Sequence, residues 1–116
     1  MKVEVLYSDG CPNYEPVLSR LRALIAAAGV EAEVQSLLVV DPEDAERERF
    51  LGSPTVRVDG RDVEPGAGQR TDFGLKCRLY VTQDGVNRMP ADHWVLLALK
   101  SGRAREDAPP STRAGG

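Results

Sequence analysis

An apolar strand that runs into a tight turn and a helix, and then at once into a second apolar strand, leaves a short chain few ways to fold. Lys2 to Tyr7 places Val3, Val5 and Tyr7 on one face of a strand. Ser8-Asp9-Gly10 supplies the turn, with Gly10 free to take a backbone angle that other residues resist. Leu18, Leu21, Leu24, Ile25 and Ala28 then recur at helical spacing until Gly29 stops the helix. Glu31 to Val40 is the next strand, ending in the run Leu37-Leu38-Val39-Val40. Strand, helix and strand with short links form a βαβ unit, whose two strands are expected to be parallel.

Within that unit a lone cysteine, Cys11, stands where the helix begins. Two starts fit the residues. Pro12 can open the helix with Cys11 as its N-cap, or Asn13 can cap it with Pro16 in the first turn. The second avoids a mid-helix proline and is preferred. Either way Cys11 lies within a turn of the helix start, where unpaired N–H groups and the positive end of the dipole favour thiolate over thiol. Asp9 opposes this, since a nearby carboxylate raises a thiol pKa.

Further along, Asp41-Pro42-Glu43-Asp44 starts a short charged helix that ends near Phe50-Leu51-Gly52. Thr55 to Val58 is a strand, Asp59-Gly60 a hairpin turn, and Arg61 to Val63 the returning strand. Glu64 to Lys76 is polar, glycine-rich and irregular. Cys77 to Val81 reads as another strand, followed by a turn at Gln83-Asp84-Gly85. Whether Arg61 to Val63 or Cys77 to Val81 is the outer strand stays open. A last helix runs from Pro90 to Lys100, carrying Trp94, Leu97 and Ala98. From Gly102 to Gly116 no bulky apolar residue occurs, which predicts one domain over 1–101 and a disordered tail over 102–116.

A chain of 116 residues with a net charge of −3 has no basic field for nucleic acid, and no apolar run long enough to span a membrane. Two cysteines and no signal-peptide pattern at Met1-Lys2 predict a cytoplasmic, reducing setting rather than a disulfide framework. In such a setting a cysteine is catalytic, metal-binding or simply buried. The one histidine, His93, lies far in sequence from both thiols and reads as a surface residue. Gly66-Ala67-Gly68 lacks the lysine and the strand-to-helix context of a phosphate loop.

The order βαβ, helix, hairpin, helix, with Gly10-Cys11-Pro12-Asn13-Tyr14 at the first helix and Ser53-Pro54-Thr55 before the third strand, resembles the thioredoxin fold over roughly residues 2 to 100. The resemblance implies a central mixed four-stranded sheet flanked by helices. It also implies a cis peptide bond at Pro54, lying against the active cysteine, with Pro12, Tyr14 and Thr55 as supporting residues. One departure matters. Tyr14 stands where a C-x-x-C motif has its second cysteine, so no dithiol cycle can run within that motif. Taken together, GCPNYEP, FLGSPTVRVDG and CRLY look most like small bacterial thioredoxin-fold proteins that often carry an alkylmercury lyase label. From lyases that cleave a C–Hg bond only the two-thiol part carries over, to Cys11 and Cys77.

Three functions compete. The first is a thiol-dependent redox protein, oxidoreductase-like, in which Cys11 attacks a small-thiol or protein disulfide and Cys77 or an external thiol resolves the product. It needs no cofactor. The second holds a thiophilic metal ion between Cys11 and Cys77. The third is a non-catalytic interaction module. Cys77 can equally be a core residue, and Tyr14 either approaches the Cys11 sulfur or packs with its hydroxyl in water. The oligomeric state is not readable.

Overall fold

Alternation along the first strand decides which side of the sheet each core residue reaches. The computed structural model describes residues 1–107. They form β1 (Lys2–Ser8), α1 (Tyr14–Ala28), β2 (Glu33–Val39), α2 (Pro42–Glu48), β3 (Thr55–Val58) and β4 (Arg61–Asp62). A 3-10 turn at Ala67–Gln69 follows, then β5 (Tyr80–Thr82), β6 (Gly85–Asn87) and α3 (Asp92–Asp107). β1 lies inside a four-stranded sheet of order β2-β1-β3-β4. It runs parallel to β2, with Val3 opposite Val34 and Tyr7 opposite Leu38, and antiparallel to β3, with Val3 opposite Val58. The βαβ unit is therefore parallel as expected, and the described residues form an α/β protein with a mixed sheet and three α-helices.

Successive strand side chains point to opposite faces. Val3 and Val5 pack in one cluster with Val17, Leu21 and Leu24 of α1, Val56 and Val58 of β3, and Val95 and Leu99 of α3. Leu6 points the other way and packs with Val39, Ala45 and Phe50, so α2 covers the opposite face. Burying a Val, Leu or Phe side chain contributes about 1.5–3 kcal/mol, so these two clusters fix which face each helix takes.

Local signals fix the joints. Asp59 and Gly60 have φ of 50° and 83°, the positive pair that a two-residue hairpin of type I′ requires. Asn13 is the N-cap of α1, which puts Pro16 in the first turn, and Gly29 ends the helix in the left-handed conformation. Asp41 caps α2 by accepting from the Asp44 N–H at 2.8 Å, with Pro42 first in the helix.

Two expectations need correction, and one open question closes. Cys77 does not begin a strand: it makes only an isolated parallel bridge to Ser53, and β5 starts at Tyr80. The outer strand of the main sheet is β4, while β5 pairs with β6 in a separate two-stranded sheet. The last helix passes its expected end at Lys100 and runs to Asp107. A glycine inside a helix costs about 1 kcal/mol relative to alanine and does not by itself end it, and Arg103, Ala104, Arg105 and Glu106 around it are good helix formers. The rest of the expected tail, 108–116, lies outside the described residues. No described helix is long and apolar enough to cross a membrane.

Candidate thiol site

The turn that carries Cys11 is closed by its own backbone. The Cys11 N–H donates to the Ser8 carbonyl at 3.2 Å, and Gly10 at the third turn position has φ of 75°. A type II turn requires a positive φ there, which glycine adopts without strain. The Tyr14 N–H then donates to the Cys11 carbonyl at 3.4 Å, leading the chain into α1. Cys11 is partly exposed, and Pro12 and Asp9 are exposed beside it.

Tyr14 is engaged elsewhere. Its ring stacks on Tyr7 with centroids 4.0 Å apart, and its hydroxyl shares a 2.6 Å hydrogen bond with Ser36 Oγ. The hydroxyl thus goes neither to the Cys11 sulfur nor only to water; it ties the start of α1 to β1 and β2.

The Ser53–Pro54 peptide bond is cis, as the resemblance implied, and both residues are buried. Ser53 is the junction of the site. Its Oγ accepts from the Ser8 N–H at 3.1 Å, so it holds the end of β1 just where the Cys11 turn starts. Its own N–H donates to the Lys76 carbonyl at 2.8 Å, and its carbonyl accepts from the Arg78 N–H at 3.0 Å. These two bonds set Cys77 directly opposite Ser53. Side chains of directly opposed residues leave the backbone on the same face. The exposed Cys77 thus stands across from Ser53, whose Oγ reaches Ser8. The two cysteine-bearing segments meet at this one serine. Gly52 makes the approach possible: a Cβ there would stand 2.9 Å from Arg78 Cβ and 3.1 Å from both Arg78 Cα and the Lys76 carbonyl.

Beneath the junction lies a charge that sequence reasoning missed. The Arg78 side chain is only 1% exposed. Its guanidinium donates to Asp62 at 2.6 and 3.0 Å, to Glu64 at 2.7 Å and to Thr55 Oγ1 at 2.9 Å, and lies 4.5 Å from the Tyr80 ring centroid. Burial works against the charge, but the Asp62 hydrogen bond, with the neighbouring Asp62 and Glu64 carboxylates, holds its pKa above the ordinary arginine value. Thr55 donates in turn to the Gly52 carbonyl at 2.7 Å. The Tyr80 hydroxyl donates to the Pro54 carbonyl, and burial raises the pKa of that phenol. Thr55 thus links Gly52 to the buried guanidinium, and Tyr80 holds Pro54. No local pattern marks Arg78, because Asp62 and Glu64 are distant in sequence; the one legible hint is the alternation of Arg78 and Tyr80 with exposed Leu79.

A groove of about 570 Å³ opens beside the start of α1, between Asn13 and Pro16, the β5–β6 turn at Thr82–Asp84, and His93. His93 is exposed, as expected from the sequence, and away from both cysteines in the chain. The described residues contain no group of three or more His, Cys, Asp or Glu side chains able to hold a metal ion, so a zinc-type chelating site is not built. Two thiols are the most that this chain offers a thiophilic ion. No family model matches the chain, and neither the curated proteins nor the solved structures yield a match.

Proposed function

We propose that the protein is a thioredoxin-like, thiol-dependent redox protein of the reducing cytoplasm, acting through Cys11 and resolved by Cys77. The observation that carries this reading is the Ser53 junction, to which the Cys11 turn and the Cys77 bridge are both hydrogen-bonded. The strand order β2-β1-β3-β4 and the cis Ser53–Pro54 bond ahead of β3 support the fold assignment.

In the forward step the Cys11 thiolate attacks one sulfur of a substrate disulfide. A Cys11–substrate disulfide forms, the substrate S–S bond breaks, and the other half leaves as thiolate. Cys77, deprotonated, then attacks the Cys11 sulfur and expels the second half. Two electrons pass from the protein dithiol to the substrate, leaving a Cys11–Cys77 disulfide that an external thiol reduces.

The test is mild oxidation followed by intact-mass and peptide analysis. Wild type is expected to lose two hydrogens and yield a Cys11–Cys77 linked peptide. Cys77→Ser is expected to stop at the mixed disulfide on Cys11, and Cys11→Ser to lose disulfide turnover. If wild type gives only intermolecular dimers or glutathione adducts, Cys77 is not the resolving thiol. If Cys11→Ser keeps full turnover, the redox reading fails and an interaction module replaces it.

A further inference from the structure

β2 ends the main sheet on one side, and the direction of its backbone groups can be worked out. The Glu33 N–H donates to the Met1 carbonyl at 2.9 Å, so Glu33 bonds toward β1. In a parallel ladder the residues that bond to a given neighbour alternate. Gln35, Leu37 and Val39 therefore also bond toward β1, and Val34, Ser36 and Leu38 turn their N–H and C=O groups to the open side. Val40 confirms the alternation: its N–H points away from β1 and is capped by Asp44 Oδ2 at 3.1 Å. Among the described residues no strand pairs with that side.

Edge strands are ordinarily kept apart by lysine, proline, bulges or short length. β2 has none of these. It is seven residues long, reads EVQSLLV, and carries its single charge at Glu33. Leu37 and Leu38 are 37% and 40% exposed.

We propose that a second copy of this chain pairs antiparallel with β2 about a two-fold axis at Ser36, continuing the sheet through both subunits. The strand is complementary to itself in one register. With Ser36 opposite Ser36 and Val34 opposite Leu38, every outward N–H and C=O of Val34, Ser36 and Leu38 finds a partner. On one face Leu38 meets Val34 of the other copy, and on the other face Leu37 meets Gln35. Glu33 faces Val39, so no like charges oppose each other within the strand. A shift of the axis to Leu37 would set Val34 opposite Val40, whose N–H is already taken by Asp44, and leave an outward group of Val34 unpaired. This is an isologous contact, in which one patch serves both subunits and closes the assembly.

Sedimentation equilibrium over a concentration series, under reducing conditions, tests the proposal without calling on Cys11 or Cys77. Wild type is expected to be dimeric, dissociating on dilution. Ser36→Pro removes an outward N–H without touching the β1 ladder, and edge strands accept proline. Leu38→Lys places a charge at the contact. Each is expected to raise the dimer dissociation constant more than tenfold while keeping the wild-type far-UV spectrum. Should Ser36→Pro disturb folding, Leu38→Lys decides alone. A wild-type monomer at every concentration overturns the proposal. So does a monomer whose Val34, Ser36 and Leu38 amides resist hydrogen exchange, which would point to residues 108–116 as the cover. A dimer unaffected by Leu38→Lys would place the interface elsewhere, with the same result.

Discussion

Replacing Arg78 by methionine removes one buried charge and leaves two carboxylates behind. Asp62 and Glu64 side chains are 13% and 14% exposed, so water can do little for them. Glu64 keeps Arg70 at 3.1 Å, whereas Asp62 loses both of its bonds to the guanidinium. Removing one partner of a buried pair costs about 3–5 kcal/mol, because the other charge is left uncompensated. For a domain of this size 1 kcal/mol moves Tm by roughly 4–8 °C, so a fall of at least about 12 °C is expected at neutral pH. The sign of the pH dependence is specific. A buried carboxylate without its cation is uncompensated only while it is charged, so the penalty is full at neutral pH and shrinks on acidification. Adding Asp62→Asn to the variant is expected to restore part of the loss, the signature of an orphaned charge rather than lost packing. Urea unfolding of wild type, both single variants and the double variant at two pH values supplies the cycle. An Arg78→Met cost under about 1 kcal/mol, or a cost that grows on acidification, would refute the reasoning.

Gly52→Ala meets both a φ of 128° and backbone atoms of residues 76 and 78, so it should destabilise by more than the usual glycine-to-alanine effect of about 1 kcal/mol and speed alkylation of Cys77, read by peptide mass spectrometry. Tyr80→Phe leaves the buried Pro54 carbonyl without its donor and should cost about 1–3 kcal/mol in chemical unfolding. The Arg20 hydrogen bond holds Asp92 below the usual carboxylate range, so this contact between α1 and α3 stabilises above the unfolded aspartate pKa and is lost as pH falls through the lower folded value. Arg20→Gln should therefore flatten the acid limb of the stability curve, with little cost at neutral pH because the pair is exposed.

The parts legible in the sequence were those written in local residues. The βαβ unit, the Asp59-Gly60 hairpin and the Asp41 cap each need only a few neighbouring side chains, and each formed; Asn13 marks the start of α1 without a side-chain capping bond. The Cys11 position followed from the same turn. What escaped was decided across the chain. Cys77 to Val81 has a strand-like composition, but a strand needs a partner along its length. Gly52 and Ser53 offer one only at a single residue, and Tyr80 turns instead to β6. Arg78 sits in a stretch that reads as polar surface, and only the folded hairpin brings Asp62 and Glu64 under it. The role of Ser53 was likewise invisible, since its three partners come from Ser8, Lys76 and Arg78.

The way Cys77 is held has a consequence for engineering. Its place opposite Ser53 depends on the Lys76 carbonyl and the Arg78 N–H, and on the missing side chain at Gly52; no side-chain atom of residue 77 takes part. Position 77 therefore behaves as a socket. Serine, histidine or selenocysteine installed there would be presented at the same spot opposite Ser53, so the functional group at this position can be exchanged one at a time on a fixed backbone.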